Sequence, residues 1–311
     1  MMWWIVLASF VSVWLSAASV GAQGPPIRTE TAFVVGLDGA AVRTFLQTTR
    51  KTKLLRDGEE IPDVLEREAT IMAVPVVVPY ELISNRLVVG AGIPFLDKEL
   101  KLIQNGIRRT LATRGFGDLS LFGKVQLFQR DRRKKTTRIT VKGTVKLPTG
   151  DHTQTDEAGV LLPRSLQLGT GTVDVSVGMI LTHIVGRAGL NADVIYGSKG
   201  ETDGFAFGDA LIYDIAFGYR VFPGVYKIYP SPYATVYLEL NGRRMAKSRS
   251  DGRDVVDSGG HTLFLSPGFQ YIPRGNLILE ASLQIPVRQQ LGGTQLGTDY
   301  VFRGGVRWLI F

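Results

Sequence analysis

Residues 138–147 read Arg-Ile-Thr-Val-Lys-Gly-Thr-Val-Lys-Leu, and their order decides the fold class. Successive side chains of a strand point to opposite faces. Ile139, Val141, Gly143, Val145 and Leu147 therefore share one face, and Arg138, Thr140, Lys142, Thr144 and Lys146 the other. One side is apolar and the other carries cations.

The alternation recurs along the chain. Val173, Val175, Val177, Met179 and Leu181 alternate with Asp174, Ser176, Gly178 and Thr182. Leu190, Ala192, Val194 and Tyr196 alternate with Arg187, Asn191 and Asp193. Leu211, Tyr213, Ile215, Phe217 and Tyr219 alternate with Asp214 and Arg220, and Leu277, Leu279, Leu283 and Ile285 with Glu280. The last segment sets Tyr300, Phe302, Val306, Trp308 and Ile310 against Arg303 and Arg307. Weaker matches begin near Ala41, Ala69, Arg86, Gly117, Ala234 and Thr262. The total is about twelve strands, an even number as in bacterial outer-membrane barrels. Short connections at 80–85, 131–135, 184–186, 222–231 and 273–275 alternate with long ones at 56–68, 96–114, 148–167, 198–203, 247–258 and 289–298. With both chain ends periplasmic, strand parity puts every long connection on the same, outer side, as such barrels require.

Alternation alone also fits a soluble sandwich, whose apolar face is inside. The aromatics separate the two. Tyr196, Tyr213, Phe217, Tyr219, Phe269, Tyr271, Phe302 and Trp308 share the apolar phase, several near strand ends, where interfacial girdles lie. Lipid offers no hydrogen-bond partner, so each backbone group must be paired within a closed sheet. The expected fold is all-β: an antiparallel, up-and-down transmembrane β-barrel of about twelve strands, apolar rows outward and polar rows lining the interior.

The N-terminus sets the compartment. Residues 1–22 carry no charged side chain, and an apolar run ends in Ser16-Ala17-Ala18-Ser19-Val20-Gly21-Ala22, the layout of a secretory signal cleaved after Ala22. An uncleaved N-terminal anchor is the alternative. Residues 23–40 then form a segment leading into the barrel, and 41–311 the barrel itself, in the bacterial outer membrane. The 311 residues hold 36 Lys and Arg against 28 Asp and Glu, a net charge of +8, so anionic partners are favoured. The absence of Cys excludes disulfides, thiolate metal sites and a Cys nucleophile. No metal-binding spacing occurs, and neither a metal nor a cofactor is expected.

Six short stretches then resemble a known family. Gly115-Phe-Gly-Asp118, Leu147-Pro-Thr-Gly-Asp151, Leu168-Gly-Thr-Gly-Thr-Val-Asp174, Gly208-Asp209, Ser266-Pro-Gly268 and Pro286-Val-Arg-Gln-Gln290 occur in that order. Together they are similar to the outer-membrane transporter family associated with the meta-cleavage pathway of phenol degradation, over residues 66–311. The resemblance implies a β-barrel transporter of aromatic or otherwise hydrophobic small molecules, with no catalytic residues. One departure concerns the C-terminus: Phe311 and Leu309 are in phase with Arg303 and Arg307 rather than with the apolar row.

The candidate lumen-lining residues are Arg138, Lys142, Lys146, Asp174, Arg187, Asp193, Asp214, Arg220, Glu239, Glu280, Arg303 and Arg307, joined on the inner phase by Arg86, Lys124, Arg243 and Asp118. Basic residues outnumber acidic ones there, which favours an anion-preferring pore for passive uptake. The alternatives are that opposite charges pair and plug a narrow barrel of structural or surface-binding role, or that the barrel is a lipid hydrolase. For the last, Ser258 and His261 form only a weak pair. Leu96, Leu100, Ile103, Ile107 and Leu111 recur at spacings of four and three, predicting a short amphipathic helix at the mouth. The run Arg130-Asp-Arg-Arg-Lys-Lys135 lacks the aromatic interleaving of a nucleic-acid site and reads as a solvated turn. Expected partners are outer-membrane lipids and lipopolysaccharide, the barrel-assembly machinery and a small-molecule solute, with no nucleic acid.

Overall fold

The computed structural model describes residues 24–33, 39–225 and 231–310, so the expected signal segment lies outside the described residues. The wall begins with β1 (Ala40–Lys51), after which β2 (Leu54–Arg56) and β3 (Glu59–Ile61) form a small hairpin in the first outer loop. β4 (Glu68–Ile83) returns and β5 (Leu87–Gln104) rises again. The descending partner of β5 is broken in two. β6 (Ile107–Phe116) pairs with its upper part and β7 (Leu119–Arg132) with its lower part. β8 (Lys135–Leu147), β9 (Asp174–Val185) and β10 (Ala188–Ser198) follow. β11 (Glu201–Thr202) and β12 (Phe205–Ala206) lie in the next outer loop, before β13 (Ala210–Phe222) and β14 (Tyr233–Met245). β15 (Arg249–Ser250) and β16 (Arg253–Asp254) lie in the loop before β17 (Gly260–Arg274). β18 (Leu277–Leu291), β19 (Thr294–Leu296) in a loop, and β20 (Tyr300–Ile310) complete the chain.

All wall pairings are antiparallel, and the sheet closes on itself. β1 pairs with β4 on one side and with β20 on the other, from Ala40 opposite Ile310 to Arg50 opposite Tyr300. Counting β6 and β7 as one crossing, the wall is a twelve-stranded antiparallel barrel. Closure pairs each crossing with both of its neighbours except at the broken one, where β6 pairs with β5 alone. There is no helix among the described residues.

The burial pattern fixes which face is which. Thr140, Thr182, Thr235, Glu239, Ser266 and Gln270 are fully buried at 0% exposure, while Val177, Met179, Ile215, Phe217 and Trp308 are exposed by half or more. Polar inside and apolar outside is the inverse of a water-soluble protein, and it fits a lipid exterior. The aromatic girdle residues named from the sequence share the outward phase.

The structure corrects one expectation. Residues 96–111 are not a helix but the two arms of the β5–β6 hairpin, with Leu100 opposite Leu111 and Gln104 opposite Ile107. At its tip Asn105 and Gly106 both take positive φ, 54° and 75°, the requirement of a two-residue type I′ hairpin turn, for which Asn-Gly is the preferred pair. At the C-terminus β20 keeps register with both neighbours. Arg303 and Arg307 are buried on the inner face while Trp308 and Ile310 are exposed; Phe311 lies outside the described residues.

Candidate functional site

The lumen is crossed by the chain's own N-terminal segment. Residues 24–33 have no regular secondary structure, so their backbone groups need partners from elsewhere. The inner face of the wall supplies them. Tyr237 Oη donates to Gly24 O, Gln270 Nε2 to Pro25 O (2.6 Å), and Arg307 to Pro26 O. Arg43 donates to Ile27 O at 2.6 Å. The fully buried Glu239 carboxylate accepts from the amides of Ile27, Arg28 and Thr29 at 2.7–3.1 Å, and from Thr29 Oγ1 at 2.7 Å. Farther along, Asp193 accepts from Glu30 N (2.8 Å), Thr182 from Ala32 N (2.9 Å), and Thr140 donates to Ala32 O (2.8 Å). The segment thus reaches strands β1, β7, β8, β9, β10, β13, β14, β17 and β20, spanning the bore from one side to the other.

Charge pairing follows the same path. Glu30 receives Lys124 at 2.5 Å and Lys142 on its other oxygen. Burial alone would raise the Glu30 carboxyl, but the two ammonium groups prevail and hold it well below the usual carboxylate range. Arg28 stands 3.9 Å from Asp214. Below the segment, Glu280 ties Arg43 and Arg307 together, each at 2.8 Å, and accepts from Gln270 Nε2 at 2.9 Å. Arg138 pairs with Asp131 at 3.2 Å and lies over the Phe33 ring at 4.7 Å. Arg303 sits over Phe45 and reaches Ile27 O. The cationic surplus of the wall is answered in part by Glu30 and by the carbonyls of the segment.

A second set of inward contacts lies at the outer mouth. The loop at 148–173 folds inward, burying Leu162, Leu166, Gln167 and Leu168. Thr113 Oγ1 donates to Leu166 O, and Lys98 Nζ to Ser165 O and Gln167 O. Asp118 is the hub: it accepts from Gly150 N and Thr170 N, each at 3.0 Å, and from Lys146 Nζ at 2.6 Å. Lys146 also reaches Asp174, which in turn holds Lys199. Three of the stretches that carried the family resemblance, ending at Asp118, Asp151 and Asp174, therefore meet at one point. Gly208-Asp209 anchors the next loop, where the Tyr196 hydroxyl (2.6 Å) and the Lys199 amide (2.9 Å) hold the Asp209 carboxyl below its usual range.

Of the candidate lumen residues, Arg138, Asp174, Asp193, Asp214, Arg220, Glu239, Glu280, Arg303 and Arg307 are buried on the inner face, with Lys142 and Lys146 partly so. Arg187 is a correction. Lying at a turn, it donates to the carbonyls of Arg220 and Val221 and covers the Tyr219 ring at the rim, away from the lumen. Arg86 is likewise an exposed turn residue. Arg243 keeps the inner phase but stands exposed in the outer half of the bore. The Ser258–His261 pair is not assembled: Ser258 Oγ donates to Val255 O, and His261 Nε2 bonds the Tyr213 hydroxyl at 2.6 Å. Among the described residues, no group of three or more acidic or histidine side chains could hold a metal ion. Sequence periodicity missed the whole segment at 24–33, since a stretch without regular structure has no period.

The family model described as "Putative MetA-pathway of phenol degradation" matches residues 55–303. The chain belongs to that family. Comparison with curated proteins finds no match. Among solved structures, it is similar to an outer membrane channel from Pseudomonas putida F1, with 13% identity and a TM-score of 0.67 over 93% of this chain and 100% of that one. A Pseudomonas aeruginosa FadL homologue gives 10% identity and a TM-score of 0.42 over 93% and 96% of the two chains. The CymD monoaromatic hydrocarbon channel gives 11% and 0.43 over 90% and 91%. This family member is an outer-membrane β-barrel.

Proposed function

We propose that the barrel is a passive uptake channel for small molecules, kept shut by its own N-terminal segment. One observation carries the reading: residues 24–33 are hydrogen-bonded across the bore to both sides of the wall. These contacts are non-covalent, so the segment can leave. The solute class we assign is aromatic compounds, above all aromatic anions. The family description names phenol degradation, and the bore retains cations beside rings, with Arg43 and Arg303 each 4.8 Å from Phe45. Arg243, exposed in the outer half, adds positive potential on the inward route.

Planar-bilayer recording tests this. The intact chain should conduct weakly, and a chain lacking residues 24–33 several-fold more, with an anion-selective reversal potential in a salt gradient. Equal conductance of the two chains would defeat the gating reading. Zero conductance in both would favour a closed structural barrel, a role that the density of contacts on the segment also suits.

A further inference from the structure

The basic run that the sequence marks as a solvated turn forms a recess on the outer wall. Arg130 lies opposite Thr137, Arg132 opposite Lys135, and Thr137 opposite His183, so three strands at the periplasmic rim present these side chains on their outward face. Together Arg130, Arg132, Lys135, Thr137 and His183 line a recess of about 130 Å³. Thr137 Oγ1 and His183 Nδ1 are 2.8 Å apart and fix the back of it. The one acid in the run, Asp131, faces the opposite way, held by Thr136 and Arg138. A bulge at Gln126–Phe128 sets that phase.

Two features give the recess an occupant. None of the Arg130, Arg132 and Lys135 side chains has an ion-pair or hydrogen-bond partner among the described residues, and no carboxylate lines the recess. Next to it toward the membrane centre the outward face turns apolar: Phe128 opposite Ile139, and Ile139 opposite Leu181. Cations at headgroup level beside an apolar strip match an anionic lipid in both halves. We propose that this recess binds the phosphate of an anionic phospholipid of the periplasmic leaflet, its acyl chains lying along Phe128, Ile139 and Leu181. The site is separate from the bore and does not rest on the channel reading.

Native mass spectrometry of the full barrel, released from micelles holding equal amounts of phosphatidylglycerol and phosphatidylcholine, tests the proposal. Bound phosphatidylglycerol should exceed phosphatidylcholine at least about fivefold, as expected when each basic side chain near a headgroup contributes about that factor. The preference should vanish in Arg130→Gln/Arg132→Gln/Lys135→Gln and persist in Arg244→Gln, an outward arginine at the opposite rim. Heat-modifiable gel migration checks that the variants fold, and if the triple variant fails to fold, Arg132→Gln alone should weaken the preference. No preference in the intact chain overturns the proposal, as does a preference that survives the triple change or is lost equally in Arg244→Gln. Competition by inorganic phosphate at concentrations matching the lipid would also overturn it, reducing the recess to a simple anion site.

Discussion

Arg307 and Arg132 are the same side chain on the same barrel wall, and their surroundings differ in kind. Arg307 points inward, 2.8 Å from Glu280 and bonded to Pro26 O. Arg132 points outward into a recess that holds no carboxylate. Inside the bore the chain supplies its own counter-charges and acceptors, some of them from a segment more than two hundred residues away in sequence, as with Ile27 and Glu239. In the recess it supplies none. An enclosed charge without a partner is costly, so the fold must complete it. A charge at a lipid headgroup is completed by the membrane, and the chain can leave it open.

Replacing Glu280 should produce the largest effect. Glu280→Ala leaves Arg43 and Arg307 enclosed together without their shared carboxylate, and breaking a buried pair costs about 3–5 kcal/mol. The midpoint of unfolding in urea or on heating should fall accordingly; an unchanged midpoint would mean that water already reaches these arginines.

How far the sequence reveals this contrast depends on the region. Period-two alternation is a direct image of the wall, because one face meets lipid and the other does not, and so the phase of Arg138, Asp214 or Arg303 could be read without coordinates. The β5–β6 hairpin escaped because its leucines, spaced by four and three, fit a helical stripe as well, although Asn105-Gly106 carried the turn signature. The segment at 24–33 escaped for a different reason. Its conformation is dictated by the bore rather than by its own side chains, and its only trace was the excess of basic residues on the inner phase, which called for an acid such as Glu30. Arg187 was misplaced because strand phase was extended one residue into a turn.

Smaller changes sharpen the comparison from inside. A Cβ on Gly268 would stand 2.6 Å from Ile27 Cδ1, so the glycine of the Ser266-Pro-Gly268 stretch makes room for the segment. Gly268→Val should push Ile27 aside and raise bilayer conductance several-fold. Glu239→Gln keeps the shape but removes the charge that three amides share. Hydrogen bonds to a charged group contribute about 1.5–3 kcal/mol against roughly 1 for neutral ones, so openings in single-channel records should become about tenfold more frequent. On the outer face the same logic predicts almost nothing for stability: Arg130→Gln/Arg132→Gln/Lys135→Gln in detergent should shift unfolding by less than about 0.5 kcal/mol, since no internal contact is lost.

Acid gives the smallest expected change. The Glu30 carboxyl is held below the ordinary range when the segment is seated, so its attraction to Lys124 and Lys142 is present above the free value near ~4.3 and is lost only as pH falls through the lower, seated value. The part of the pH response that Glu30→Gln removes should lie below ~4; a Glu30-dependent rise in conductance already at pH 6 would show that this carboxylate is not held low in the seated segment.

The β5–β6 hairpin carries the wall outward to Asn105 and Gly106, both exposed, where a Cβ on Gly106 would meet no atom within 4 Å. Exposed loop tips tolerate insertion. A short peptide tag or a fluorescent dye placed between these two residues would sit on the bacterial surface, clear of bilayer and bore alike, and would let intact cells be counted or sorted by how much folded protein they export.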